Sequence, residues 1–263
     1  MKPAPLLLNS ITDADISARG RVVVSGSHGG MYPAAIASHT GVHAVIFNDA
    51  GIGFEQAGIA GVRALDSGGM AAAAVACHSA EIGSATDALA HGVISFANDH
   101  ARLVGVTLGM AAHDATALLA QAAAPRAQLT PGVEARWDQD RPGHPALLCV
   151  DSASLVKPSD AGRIILTGSH GGLIGGDPAR ALKAKALLAV FNDAGGGKND
   201  IGTSRLPTLQ QQGIAAVTVS HNSCRIGDAA SALTDGVISA LNPCAQAMQA
   251  RVGVPLVAFL NPL

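Results

Sequence analysis

Gly20-Arg21-Val22-Val23-Val24-Ser25-Gly26-Ser27-His28-Gly29-Gly30 is followed 142 residues later by Gly162-Arg163-Ile164-Ile165-Leu166-Thr167-Gly168-Ser169-His170-Gly171-Gly172. The likeness continues. Phe47-Asn48-Asp49-Ala50-Gly51 matches Phe191-Asn192-Asp193-Ala194-Gly195, and Gly92-Val93-Ile94-Ser95 matches Gly236-Val237-Ile238-Ser239, both at an offset of 144. The chain therefore reads as a tandem duplication. Identities gathered in short polar and glycine patches, rather than scattered evenly, mark where the two copies were held to a common requirement. We place repeat lobe 1 at 1–122, a linker at 123–146 and repeat lobe 2 at 147–263, each lobe large enough for its own core.

Each copy alternates short β-branched runs with longer Ala-rich stretches. Strands are expected at Arg21–Val24, Ala44–Phe47 and Ala71–Val75, then at Ile164–Leu166, Leu187–Phe191 and Ala215–Val219. Near-continuous apolar strands separated by helical stretches predict an α/β fold, a three-layer α/β/α arrangement with a mostly parallel sheet. The two lobes are expected to pack about a pseudo-twofold axis with a shared cleft. Pro125 to Pro145, with Pro131-Gly132 and Pro142-Gly143, has no sustained period and reads as the linker.

Composition narrows the function. Hydrophobic residues make up 48% of the 263, yet no apolar run approaches the ~20 residues of a membrane span. The opening Met1-Lys2-Pro3 and its short apolar stretch do not form a secretory signal, so a cytoplasmic protein is expected. Cys77, Cys149, Cys224 and Cys244 lack paired spacing, and reduced thiols are the expectation. A net charge of -2 and 3% aromatic residues offer neither a basic footprint nor a stacking platform for nucleic acid. The expected partner is a small-molecule substrate, without nucleic acid or membrane, and with association into a homo-oligomer left open. No cofactor and no metal are assigned.

Three patches follow strands and converge on one sheet edge of each lobe. Ser27-His28-Gly29 and Ser169-His170-Gly171-Gly172 place a hydroxyl and an imidazole where paired glycines let a ligand approach the backbone; the plainer reading is a tight turn with a serine cap. Asn48-Asp49 and Asn192-Asp193-Ala194-Gly195 put a carboxylate beside the histidine, to orient it or, more plainly, to make an Asx turn. Lys198 follows Gly195-Gly196-Gly197 and suggests an anion loop. Ser79 and Ser223 are the retained hydroxyls of the third patch, where Cys77 aligns with His221; a helix cap is the competing reading.

A strand ending in His-Gly, then one ending in Asp-Ala-x-x-Gly, then a Gly-x-x-x-Leu-x-x-x-Gly helix leading into another apolar strand, resembles the caspase-like peptidase fold over about 60 residues per lobe. That resemblance implies a nucleophilic cysteine after Asp-Ala, but Gly51 and Gly195 stand there, so the peptidase nucleophile would be absent.

Lobe 2 carries Asp151, Lys198, His221, Arg225 and Asp228 where lobe 1 has Asn9, Phe54, Cys77, Glu81 and Ser84, and is the expected active half. The favoured function is a hydrolase acting on a small anionic metabolite, an amide or cyclic amide. His170 serves as general base or acid, Asp193 as its orienting carboxylate, and Ser223 or Ser169 as nucleophile or water-positioning hydroxyl. Ser27, His28, Gly29, Asn48, Asp49, Ser79, Asn192 and His221 are assigned to substrate binding. Gly171, Gly172 and Gly195 are assigned amides for the oxyanion, and Lys198 is assigned the substrate's charge. A non-catalytic metabolite-binding or sensor protein of degenerate caspase-like fold is the alternative. A metal-dependent hydrolase using His170, Asp193 and His221 is the second.

Overall fold

The computed structural model describes residues 4–130 and 132–263. The leader reading at Met1-Lys2-Pro3 and the turn reading at Pro131 fall outside the described residues. The rest is an α/β protein whose strands, among the described residues, form one sheet of five and one of six. The first comprises β1 (Leu6–Leu8), β2 (Val22–His28), β3 (Ala44–Asn48), β4 (Ala71–Val75) and β5 (Ile94–Ala97), hydrogen-bonded in that order. The second comprises β6 (Arg136–Gln139), β7 (Leu147–Val150), β8 (Ile164–His170), β9 (Leu188–Asn192), β10 (Ala215–Val219) and β11 (Ile238–Leu241), also in chain order across the sheet. Four strands in each run parallel, while β5, β6 and β11 are antiparallel edges.

Both faces of each sheet are covered, as the near-continuous apolar strands require. On one face of the first sheet Val22, Val24, Ile46 and Val75 pack with Ala88, Ala112, Ala115 and Leu119. On the other, Val23, Val45 and Phe47 meet Ala34, Ala37 and Val62. The second sheet is layered the same way, with Leu166 and Val190 on one side and Ile165, Ala189 and Phe191 on the other. Alanine-rich strands let these layers approach closely, which explains how so few aromatic residues suffice.

The expected strands fall on β2 to β4 and β8 to β10, but β2 and β8 run further, through Ser25-Gly26-Ser27 and Thr167-Gly168-Ser169 to the histidine. His28 and His170 thus end strands rather than sit on following turns. The ladder slips between Val24 and His28 and again between Leu166 and His170; such irregularities bend a strand end and re-aim its side chains. The region expected as linker contains β6, held by a two-point pair from Arg136 to Asp160 at 2.7 and 3.0 Å.

The sheets differ in one crossover. Between β2 and β3 runs a helix, α1 (Met31–Thr40), closed by Gly41 at φ 78. Between β8 and β9, Gly175-Gly176-Asp177-Pro178 interrupts any helix, and the path is carried by two 3-10 turns, Ile174–Gly176 and Pro178–Arg180.

The halves meet through reciprocal contacts at the 144-residue offset. Phe54 N donates to His221 O at 2.7 Å, and Lys198 N donates to Cys77 O at 2.9 Å. Between them Gly51 and Gly195 face each other so closely that a Cβ on either would lie 2.9 Å from the other's Cα. Asp13–Arg180, Glu55–Arg225 and Asp87–Lys198 ion pairs surround this contact. Gly195 also has φ 82. Gly195→Ala is therefore expected to cost about 2–4 kcal/mol from backbone strain and overpacking together, read by urea denaturation; an unchanged midpoint would show that the junction yields freely.

Candidate functional site

The expected site residues separate into three groups. Ser27 and His28 from β2, with Ser169 and His170 from β8, line a cavity of about 670 Å³ between the lobes, a size suited to a metabolite. Ser27 Oγ accepts from Ile11 N at 3.0 Å and Ser169 Oγ from Ala153 N at 2.9 Å. Each hydroxyl proton is thereby left for another acceptor.

Both imidazoles are buried. His28 Nδ1 accepts from Gly30 N at 3.2 Å, which places the ring proton on Nε2. Burial lowers the His28 pKa to about 4. The pKa of His170 falls well below the ordinary histidine value, first through burial, then through the charges of Arg205 and His28, with Gly172 opposing. Its Nδ1 is buried and lacks a hydrogen bond; the Gly172 backbone lies beside it outside bonding geometry. These are neutral rings, suited to donating a hydrogen bond to a carbonyl oxygen.

The second group builds the junction instead. Asn48 Oδ1 accepts from Ala50 N and Asp49 Oδ1 from Gly51 N, both at 2.9 Å, while Asn192 and Asp193 do the same for Ala194 and Gly195 at 2.9 and 3.1 Å. These bonds stabilise a loop in which Ala50 and Ala194 adopt φ 49 and 51, a conformation costly for a residue with a Cβ. The expected His170–Asp193 pair does not form: Asp193 Oδ1 accepts from His221, at 2.8 Å from its ring Nδ1 and 2.9 Å from its backbone N. Burial would raise the Asp193 pKa, yet the bonds from His221 and Ser239 hold it below the usual carboxylate range. His221 lies against Gly51, because its strand end crosses toward the opposite lobe. Lys198 is also withdrawn from ligand duty, pairing with Asp87 at 2.7 Å.

Two of the three amides assigned to the oxyanion are taken: Gly171 N donates to Asn192 O at 2.7 Å, and Gly195 N to Asp193. Gly29 N likewise serves Asn48 O. In the third group, Ser79 and Ser223 each donate to the carbonyl three residues earlier and accept from the amide fourteen residues later, at Val93 and Val237. These serines close a bend, so Ser223 is not a poised nucleophile. His170, Asp193 and His221 do not gather as metal ligands, and among the described residues no three His, Cys, Asp or Glu do so.

Sequence reasoning missed several cavity residues. Arg205 corresponds to Gly61 at the 144-residue offset: their amides donate to Gly171 O and Gly29 O respectively. A Cβ on Gly61 would lie 2.1 Å from Gly30 O and 2.6 Å from Ala34 Cβ. Lobe 1 has no room for a side chain there because α1 fills the space; the looser β8–β9 crossover admits the guanidinium. Glu134, in the presumed linker, also reaches the cavity, between Tyr32 and Ser152. Burial raises its pKa to about 7, against the hydrogen bonds of Ser152 and Tyr32 and with the help of Asp151. No protein-family model, curated protein or solved structure matches the chain.

The two depressed histidines fix a pH response. Unfolded histidine takes up a proton below about pH 6.5, whereas His28 resists until about pH 4, so the unfolded state binds more protons and stability falls as pH drops through that window. Urea titrations at pH 7.5 and 5 should show this loss, with His28→Gln flattening it. A variant as acid-sensitive as the parent would remove His28 from the cause.

Proposed function

We propose that this protein is a hydrolase whose interlobe cavity takes a small anionic carbonyl compound, with an amide or cyclic amide as the bond broken. The observation that carries this reading is the pair of buried, uncharged imidazoles, one from each sheet, lining a single metabolite-sized cavity. A neutral ring donating its N–H, from Nε2 in His28, polarises a carbonyl and stabilises the oxyanion formed when water adds. The histidines thus act as electrophilic donors, not as the general base expected of His170.

Glu134 supplies the proton transfer. A carboxylate with a pKa near 7 accepts a proton from water as its oxygen adds to the carbonyl carbon, then returns that proton to the leaving nitrogen as the C–N bond breaks. Ser27 and Ser169, each with an uncommitted hydroxyl proton, orient the substrate. Arg205 on the lobe 2 wall, a cation without a carboxylate partner among the described residues, supplies the local positive charge that favours an anion.

A second reading, a non-catalytic metabolite binder on a caspase-like scaffold, is favoured by the bonding of Ser223, which leaves no activated serine. The discriminating measurements are ring opening of small anionic cyclic imides, which leaves a carboxylate and a carboxamide on one product, and amine release from N-acyl amino acids. Turnover is expected to rise with pH through about 7, as Glu134 ionises. Glu134→Gln and His170→Gln should each lower kcat at least about a hundredfold. Saturable binding without product would instead establish the binder.

Glu134 makes a separate mark on stability. Its raised pKa means that the unfolded state loses a proton which the folded state retains between about pH 4.5 and 7, so the group lowers stability as pH rises through that range. Allowing for its partial exposure, Glu134→Gln should gain on the order of 1 kcal/mol at pH 8 relative to pH 4. An equal effect at both pH values in chemical denaturation would contradict the shifted ionisation.

A further inference from the structure

The geometry points to a monocarboxylate subsite at Arg205, on the lobe 2 wall beside His170, where Nη2 of the guanidinium receives one end of the ligand. This inference rests on the reading that the cavity binds a small anion, but not on hydrolysis.

Arg205 is 2% exposed and lines the cavity. Its Nε donates to Gly172 O at 3.0 Å, its Nη1 to Arg180 O and Ala181 O, and its plane lies over the Phe191 ring at 5.0 Å. These are neutral partners. Among the described residues no carboxylate pairs with Arg205, and no hydrogen bond engages Nη2. The pKa of the guanidinium falls to about 10 through burial and then through Arg180, yet it stays charged at neutral pH. A buried cation without a counter-charge is unfavourable, and an anion arriving in the cavity would neutralise it.

The other cations nearby are engaged. Arg180 pairs with Asp13, Arg225 pairs with Glu55 and Asp228, and Lys183 donates to Ser154 O. Arg205 is also dispensable to the common architecture, since its counterpart is Gly61. It is a feature of one half, admitted where an α-helix is replaced by turns.

The remaining donors decide the class of anion. With Nε and Nη1 occupied, only Nη2 is free, enough for one carboxylate oxygen but not for a phosphate clasped on several sides. The same cavity sets Asp13, Glu55, Glu134, Asp151 and Asp228 against Arg180, Lys183, Arg205 and Arg225, a balance that opposes a second negative charge. A ligand with one carboxylate at Arg205 and a carbonyl within reach of the imidazoles satisfies both ends.

The test uses the full chain and sodium acetate as probe, with acetamide and sodium phosphate as controls, at constant ionic strength and pH 7.5. Acetate should raise Tm saturably by about 2–4 °C and shift the His170 ring resonances in parallel. Acetamide and phosphate should not. Arg205→Gln should weaken the acetate response at least tenfold. Equal responses to acetate and acetamide, a stronger response to phosphate, or an undiminished response in a folded Arg205→Gln would each overturn the subsite. If that variant does not fold, the parent's His170 resonances decide: no saturable acetate shift overturns the proposal. Acetate binding without turnover of any amide would defeat hydrolysis and leave the subsite standing. Turnover that acetate does not inhibit would do the reverse.

Discussion

The arrangement of the two sheets depends on the contact between Gly51 and Gly195, where two strained strand-end loops touch backbone to backbone. No side chain fits between them, so the separation of the two sheets is set by main-chain dimensions. The strain at Ala50 and Ala194 is held in place by the adjacent Asn and Asp carboxamide and carboxylate oxygens. The polar patch that looks most like a catalytic carboxylate is therefore what keeps the lobes in register. The cavity is a consequence: with the junction fixed here, the His28 and His170 strand ends are left facing a shared space.

That division of labour explains why the repeated motifs do not all carry chemistry. Two halves that must meet reciprocally need the same residues at the contact, whether or not either half reacts with anything. Asn48, Asp49, Ser79 and their counterparts recur because both halves make the same turns. The residues that distinguish the cavity are the unmatched ones: Arg205, whose counterpart is Gly61, and Glu134, from the segment between the lobes. Asymmetry within a symmetric frame is thus the better guide to function than identity.

The fold was largely legible because its signals are local and additive. Val22-Val23-Val24 or Ala215–Val219 can be little else than buried strands, and six such runs with helical spacers define the layers. The site was legible only in part. Ser27, His28, Ser169 and His170 reach the cavity as their place at strand ends implies. Asp193 went to His221 because the loop after β10 brings that residue's amide, and with it the ring, to the carboxylate, as the loop after β4 brings Cys77 N to Asp49; spacing does not encode that approach. Arg205 starts a helix, Arg205–Gln211, and nothing in the local pattern marks its charged first residue as buried, although Gly175-Gly176-Asp177-Pro178 breaks the crossover where lobe 1 has α1 over Gly61. Glu134 was hidden because a stretch without periodicity reads as linker even when its neighbour β6 pins it to the sheet.

The electrostatics of the cavity form one coupled arrangement rather than a set of separate shifts. Arg205 helps keep His170 neutral, and His28 adds to the effect. A negative ligand at Arg205 would offset that positive field and ease protonation of His170, so ligand charge and imidazole state are linked. The linkage runs against a bystander role for the histidines. A ring that is a hydrogen-bond donor while neutral remains one when protonated, but with a stronger field at the developing oxyanion. If the proposed function holds, substrate charge would thereby tune the imidazole assigned to the carbonyl, whereas an uncharged analogue would leave the rings neutral. In the proposed function, anion selectivity and carbonyl activation would share one physical origin, an unpaired guanidinium whose charge bears on the His170 ring.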